Sequence, residues 1–341
     1  MPLLSALRLN MTNIPDAAVG HAERYRAALE MASYADAHGI TAIGCEEHHL
    51  AATGWLPAPL LMAAAVAATT KNIRISINAL LVPLYDPVRL AEDIAVLDQL
   101  SAGRISYVAG IGYRPQEYHA VGRDFRRRGK LMDESLAVLL KAWGDEPFEY
   151  RGQRIDVTPK PCTKPHPLIF IGGMSEAAAC RAARFGLPFS PPMPMPRIEA
   201  VYLAELDRLG KQGFVFWPEN GSTVTHLTTD PDAAWGRCGE YFLNEAAEYS
   251  SWTVPNVPRP NESPADTVAE LRRTNKVEVL TSEELVAQCR AGRTGVTLHP
   301  LIGGLPLDEG WESLRLFGEE VLPTLNGPTS AVYQPFTSGT R

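Results

Sequence analysis

The chain of 341 residues is 45% hydrophobic and 21% charged with a net charge of −7. A sizeable core can be buried, while a nucleic-acid groove or an anionic membrane surface is disfavoured as the main partner. No run of about 18 apolar residues is present to span a bilayer, and Met1 to Arg8 lacks the basic-then-apolar layout of a secretion signal. Cys45, Cys162, Cys180, Cys238 and Cys289 are scattered and never spaced as CxxC. That pattern implies a reducing cytoplasm and argues against a disulfide framework or a structural zinc site.

Short β-branched runs alternate with longer helical patterns. Leu7 to Met11 is the first predicted strand, and His21 to His38 is helical until Gly39 stops it. Ile40 to Cys45 is the second strand and runs directly into Glu46-Glu47-His48-His49. Pro57 to Thr70 is an Ala-rich helix, and Ile73 to Val82 a third strand. Asp86 caps a helix that has Pro87 at its first position and runs to Leu100. Arg104 to Ala109 is the fourth strand, ending in Gly110-Ile111-Gly112.

The rhythm then breaks. Residues 113–129 are polar and aromatic, and a helix through Met132, Leu136, Leu139 and Trp143 follows. The proline-rich 146–167 predicts a small β-excursion around Tyr150-Arg151-Gly152. Leu168 to Ile171 is a fifth strand, leading through Gly172-Gly173-Met174-Ser175 into a helix to Phe185. Leu187 to Ser190 is a brief sixth strand, and Arg197 to Lys211 is helical. Ser222 to Thr228 is a seventh strand and Asp232 to Tyr249 a helix, before a weakly patterned excursion over 250–279. Ser282 to Ala291 is helical, Gly295 to Ile302 is the eighth strand, and Asp308 to Leu325 is the closing helix before a polar tail from 326.

Eight short buried strands, each followed by a helix, predict a single α/β domain over 1–341, a (β/α)8 TIM barrel with excursions after strands 4 and 7. An open doubly wound sheet ranks lower, because no GxGxxG follows the first strand. In a barrel the site lies at the C-terminal ends of the strands. The quartet Glu46 to His49 is at such an end, as are Asn78-Ala79, Gly110 to Gly112, Gly172 to Ser175 and His299 to Gly304.

The residues alone leave the quartet three readings. It is a structural Glu–His pair, a metal site, or a histidine placed as acid, base or hydrogen-bond donor beside a cofactor. Side chains alternate along a strand, so Glu46 and His48 share one direction, and Glu47 and His49 the other. The remaining histidines supply no HxH or HExxH, so no metal is expected. Gly172 to Ser175 reads either as a phosphate turn at a helix start or as Ser175 serving as a plain N-cap.

Glu47-His48-His49, the stretch from Ile73 through Pro87 to Arg104, Gly112-Tyr113-Arg114-Pro115, Ile171-Gly172-Gly173 and His299-Pro300-Leu301 together resemble the bacterial luciferase-like family of flavin-dependent monooxygenases. The resemblance covers roughly Leu7 to Leu325 and implies the same (β/α)8 barrel. It implies that His48 is the catalytic histidine, with Glu47 or Glu46 orienting it, and that Gly110 lies near the reactive edge of the flavin. Asn78-Ala79 falls where the family often has a non-proline cis peptide under the ring, and Gly172, Gly173, Met174 and Ser175 match the phosphate turn. Ile111 and Met174 stand where luciferase itself has an arginine and a glutamate. Arg128 is therefore the expected cationic phosphate partner, followed by Arg127 and then Arg114.

The implied chemistry is oxygenation of a moderately apolar small organic substrate by O2 through a flavin peroxide. FMN would be supplied reduced by a separate, transiently bound reductase. The alternatives are hydride transfer with the deazaflavin coenzyme F420 and flavin binding without turnover. Trp55, Tyr113, Tyr118, Met193 and Met195 are the aromatic and apolar residues expected near the mouth. The resemblance also implies a homodimer, with the helices at Pro57–Thr70 and Asp86–Leu100 as candidate faces.

Overall fold

A computed structural model of the chain describes residues 3–15, 17–217, 223–252 and 265–326. The elements in order are β1 (Leu4–Leu9), α1 (His21–Ala37), β2 (Ala42–Cys45), α2 (Pro59–Thr69), β3 (Arg74–Leu80), α3 (Pro87–Ser101), β4 (Ile105–Ala109) and α4 (Pro115–Ala120). Then come α5 (Arg128–Ala142), the hairpin β5 (Phe148–Tyr150) and β6 (Gln153–Ile155), β7 (Leu168–Gly172), α6 (Glu176–Phe185), β8 (Phe189–Ser190) and α7 (Pro196–Leu209). The last part holds β9 (Val224–Leu227), α8 (Pro231–Ser251), α9 (Val268–Arg273), β10 (Val277–Leu280), α10 (Ser282–Arg290), β11 (Gly295–Leu298), α11 (Leu307–Arg315) and α12 (Leu322–Asn326).

The fold is of the (β/α)8 barrel type. Nine parallel strands follow the order β10-β9-β11-β1-β2-β3-β4-β7-β8, and the pairing continues past β8 through a parallel bridge from Phe189 to Val215. The C-terminal ends of β2, β3, β4 and β7 are neighbours, so the quartet, Asn78-Ala79, Gly110 and Gly172 share one rim. No helix among the described residues is long and apolar enough to cross a membrane.

One strand departs from the expected pattern. The predicted excursion over 250–279 ends in α9 and in β10, which pairs with β9 from Val277↔Val224 to Leu280↔Leu227. Val277 and Val279 are buried and alternate with Glu278 and Leu280. Four residues carry too short a period-2 signal to stand out beside a proline-rich stretch. Residues 253–264 and the tail from 327 lie outside the described residues.

Along each central strand alternate residues are apolar and buried: Leu7 and Leu9, Ile43 and Cys45, Ile75 and Ile77, Ile105 and Tyr107. They pack in one core with Ala28, Met31, Val66, Leu90 and Leu136 of the helices. Each fully buried aliphatic side chain contributes about 1.5–3 kcal/mol. Several intervening positions are polar: Ser76 Oγ donates to Asn78 Oδ1 within β3 at 2.7 Å, and Ser106 Oγ donates from β4 to Ser76 Oγ at 3.2 Å. Two opposite faces thus come from one alternating pattern.

Helix ends follow the sequence closely. The Asp86 carboxylate accepts from Val88 N and Arg89 N at 3.0 and 3.3 Å, ahead of Pro87. Arg104, the first residue after α3 and its turn, gathers the carbonyls at the end of α2. Its Nη2 donates to Ala67 O and Thr70 O, and its Nη1 to Ile73 O and Thr70 Oγ1, at 2.9–3.1 Å. These carbonyls have no acceptor role within the helix, and only a planar fork reaches all of them. Arg104→Lys keeps the charge and loses the fork. It should lower the unfolding free energy by about 2 kcal/mol, read as a lower urea midpoint at unchanged slope. A wild-type midpoint would mean that water satisfies these carbonyls equally well.

Candidate active site

β2 stops at Cys45, and the quartet fans out as alternation requires. Glu46 turns toward β1, where Arg8 donates to both of its oxygens, Nη2 to Oε2 at 3.0 Å. Arg8 also stands 3.4 Å from Glu245 of α8. Burial pushes the Glu245 carboxyl up, but the charges of His299 and Arg8 outweigh it and hold it well below the usual carboxylate range. His299 Nε2 lies 3.2 Å from Glu245 Oε2 without forming a hydrogen bond.

Glu47 is buried and joins β2 to β3. Its Oε2 accepts from Leu81 N at 2.6 Å, and its Oε1 accepts from the Tyr85 hydroxyl and pairs with His49 Nε2 at 3.0 Å. Its hydrogen bond to Glu47 raises the His49 imidazole above its ordinary value, against the opposing effect of burial. Glu47 therefore positions His49, and Glu46 is bound by Arg8. Neither holds His48, contrary to the sequence-based expectation: alternation turns Glu47 away with His49, and Glu46, on the His48 side, is taken up by Arg8.

The partner of His48 is Glu117, in the excursion after β4. Glu117 Oε1 pairs with His48 Nδ1 at 3.2 Å and accepts from His49 N and Arg114 Nη1, each at 3.0 Å. Arg114 Nη1 also donates to His49 O at 2.6 Å. Burial pushes the Glu117 carboxyl up. The hydrogen bond and charge of His48, the His49 amide and Arg114 outweigh it and hold the group below the ordinary carboxylate value.

Four aromatic rings surround the other side of His48. Their centroids lie at 4.6 Å for Trp252, 5.2 Å for Trp55, 5.6 Å for Tyr113 and 6.2 Å for Tyr249. The Arg114 guanidinium sits 4.1 Å over the Trp252 ring. Arg114 is thus committed to Glu117, His49 and Trp252, which removes it as a phosphate partner. Trp55 Nε1 and Glu117 Oε2 are buried polar atoms without a partner among the described residues. Tyr118 packs on Phe125 and donates to Ile111 O, so its role is to fasten the loop.

Next along the rim the surface is bare backbone. The Asn78-Ala79 peptide is cis. A Cβ added at Gly110 would meet Ala79 Cβ at 2.9 Å, so only glycine lets β4 lie this close to the cis turn. Gly173 has φ +148°, and a Cβ there would meet Ala178 Cβ at 2.7 Å. Asn78 is exposed, and Ala79, Gly110, Gly172, Gly173 and Met174 are half-buried. Ser175 is the N-cap of α6, accepting from Ala178 N at 3.2 Å. Arg128 begins α5, with its guanidinium 4.1 Å over Phe125 and Nη1 donating to Phe125 O. Arg181 of α6 ties the two helices by donating to Asp133 and to Gly129 O. A side-chain-poor floor beside a helix start suits a flat ring system that carries a phosphate.

Residues 9–213 match the family model described as luciferase-like monooxygenase. The chain belongs to that family. The oxygenase component of a flavin-dependent trigonelline monooxygenase from Acinetobacter baylyi is 27% identical over 154 residues, 43% of this chain and 42% of the relative. The chain spans about half the length of the curated relatives it matches. A monooxygenase structure from Streptomyces bottropensis superposes with a TM-score of 0.73 at 22% identity, covering 95% of this chain and 100% of that one. The oxygenating constituent of 3,6-diketocamphane monooxygenase from Pseudomonas putida, solved with FMN, gives 0.69 at 21%, covering 95% and 99%. At these identities the structural likeness speaks for the fold.

Within this luciferase-like barrel the sequence singled out His48, Trp55 and Tyr113, and missed Glu117, Tyr249 and Trp252. The spacing Arg114-Pro115-Gln116-Glu117 was the one available signal. Proline starts a short helix there and brings Arg114 and Glu117 onto one face, three residues apart.

Glu117 and Glu245 lie below the value of about 4.3 of an unfolded glutamate, so each stabilises the fold above that pH and loses its contribution as pH falls through its folded value. Through these two carboxylates the urea midpoint should drop below about pH 4, while the contribution of the raised His49 is lost as pH rises past about 6.5 and through its folded value. Glu117→Gln should make that drop shallower. A drop of wild-type steepness in the variant would mean that the folded Glu117 titrates normally.

Proposed function

We propose that this chain is the oxygenase of a two-component flavin-dependent monooxygenase, acting with reduced FMN and O2 on a moderately apolar small organic substrate. The observation that carries the reading is His48. It is backed by a buried carboxylate, enclosed by four aromatic rings, and set on the same rim as the bare backbone of Ala79 and Gly110. The Acinetobacter relative is an oxygenase component, which supports delivery of reduced flavin by a separate reductase.

Gly172, Gly173 and Met174, at the start of α6, would hold the flavin phosphate with their backbone amides. Arg128 would supply the cation, with Arg127 next, and Ser175 would keep the turn in shape as its cap. Asn78, Ala79 and Gly110 would lie against the ring system. When bound, reduced FMN supplies the electrons that activate dioxygen.

His48 does the proton chemistry. Its Nδ1 is engaged by Glu117, so in the neutral ring Nδ1 carries the hydrogen and Nε2 is the free acceptor. Nε2 takes or returns a proton at the reacting oxygen. Glu47 acts through His49 and the Leu81 amide, holding the ends of β2 and β3 together. The rings of Trp55, Tyr113, Tyr249 and Trp252 exclude water and favour an apolar substrate. Leu61 on α2 and Val96 and Leu100 on α3 are exposed apolar side chains, which supports the homodimer expected through these helices.

The test is anaerobic titration of the purified chain with reduced FMN and, in parallel, with reduced F420, followed by mixing with O2 and product analysis. Saturable binding of reduced FMN and oxygen-dependent product support the reading. Binding of F420 alone overturns it in favour of hydride transfer. His48→Ala should bind FMN with wild-type affinity and form product about 10²–10⁴-fold more slowly. Unchanged turnover in that variant would remove His48 from the chemistry.

A further inference from the structure

Against β9, α8 and α11, three donor side chains converge that the flavin reading does not use. His226 of β9, Cys238 of α8 and Glu309 of α11 place one ligand atom each within 4.8 Å of one another. Cys238 Sγ is already 3.4 Å from Glu309 Oε2. His226 is 3% exposed, and its Nε2 has no hydrogen-bond partner among the described residues. A buried imidazole nitrogen without a partner costs about 1–3 kcal/mol, so its retention here calls for a ligand. Glu309 is held in place by Arg237, which bonds both of its oxygens and lies half-exposed at the surface.

We propose that His226, Cys238 and Glu309 bind a borderline-soft divalent cation of the zinc class. Zinc takes imidazole nitrogen, thiolate and carboxylate donors in tetrahedral sites, and the fourth position is left to water. On binding, the Cys238 S–H bond breaks, an S–metal bond forms and the proton leaves to solvent. Thiolate and carboxylate set two negative charges against the two of the ion, and Arg237 on Glu309 leaves the cluster one positive charge in excess. Tetrahedral donors stand about 3.5 Å apart, which small side-chain rotations reach from the observed spread. The ion would clamp β9, α8 and α11 together. Since α8 also carries Glu245 and Tyr249, it would brace the wall that faces Arg8 and His48. No spacing motif announces the site, because the donors lie 12 and 71 residues apart along the chain.

The full chain, freed of metal by chelator dialysis, is titrated with Co2+ and then Zn2+ while absorbance and thermal unfolding are followed. Expected are one equivalent of Co2+ bound with a sulfur-to-cobalt charge-transfer band, its displacement by Zn2+, and a rise in Tm of about 3 °C or more with either ion. Cys238→Ser should abolish the band. Glu309→Gln, an isosteric change that tests the site without emptying the core, should weaken Co2+ binding at least about tenfold. Cys162→Ser and His48→Ala should leave both signals intact. Absence of saturable binding, or the same band in Cys238→Ser, overturns the proposal. Either result leaves the flavin reading untouched, because no donor here belongs to it.

Discussion

The site hangs on one buried carboxylate. Glu117 Oε1 receives a ring nitrogen of His48, the backbone amide of His49 and the guanidinium of Arg114 at 3.0–3.2 Å. Taking a carboxylate out of water costs several kcal/mol unless donors replace the lost hydration. Here all three donors come from the very segments that must be brought together, the loop after β2 and the excursion after β4. Burial of the charge and closure of the excursion over the rim are therefore one event. Neither the His48 tautomer nor the loop position survives without the other. Glu47 solves the same problem on the neighbouring side, with the Leu81 amide as its donor from β3. Backbone N–H groups at strand ends have run out of ladder partners, and buried glutamates satisfy them.

How much of this was legible follows from what each interaction needs. Period-2 and period-3.6 patterns are local, and all eight expected strands are present in the sheet, as β1, β2, β3, β4, β7, β8, β9 and β11. The quartet stood out because four ionisable groups followed an apolar run, and alternation correctly placed Glu47 with His49. Glu117 was invisible because its partner is 69 residues away and nothing in Pro115-Gln116-Glu117 marks burial. Tyr249 and Trp252 were hidden for a related reason: they close a helix that reads as amphipathic packing, and only the barrel's curvature brings its end to His48. β10 was lost because four residues beside a proline-rich stretch give a period no room to show itself.

The rim divides into two physical halves. Around β2 it is crowded with rings and paired charges, and around β3, β4 and β7 it is bare. The bareness is built in at the glycines, since a Cβ at Gly110 or Gly173 would run into Ala79 or Ala178. A flat cofactor and an apolar substrate thus have separate surfaces, and His48 stands at their border.

The barrel interior below the rim sharpens this division. Arg8, Glu46, Glu245 and His299 form a connected set of ionisable groups. Arg8 is held by two carboxylates, and Glu245 in turn by Arg8 and the His299 ring. The set leaves no isolated charge to draw a polar substrate deeper. An apolar molecule gains nothing by entering that polar interior and gains most where Trp55, Tyr249 and Trp252 offer ring faces. The depth at which substrate rests is then set by where the paired charges end and the aromatic rings begin. That boundary is at His48, whose Nδ1 is already taken by Glu117. Nε2 is left as the one basic atom of the ring still able to meet a reacting oxygen.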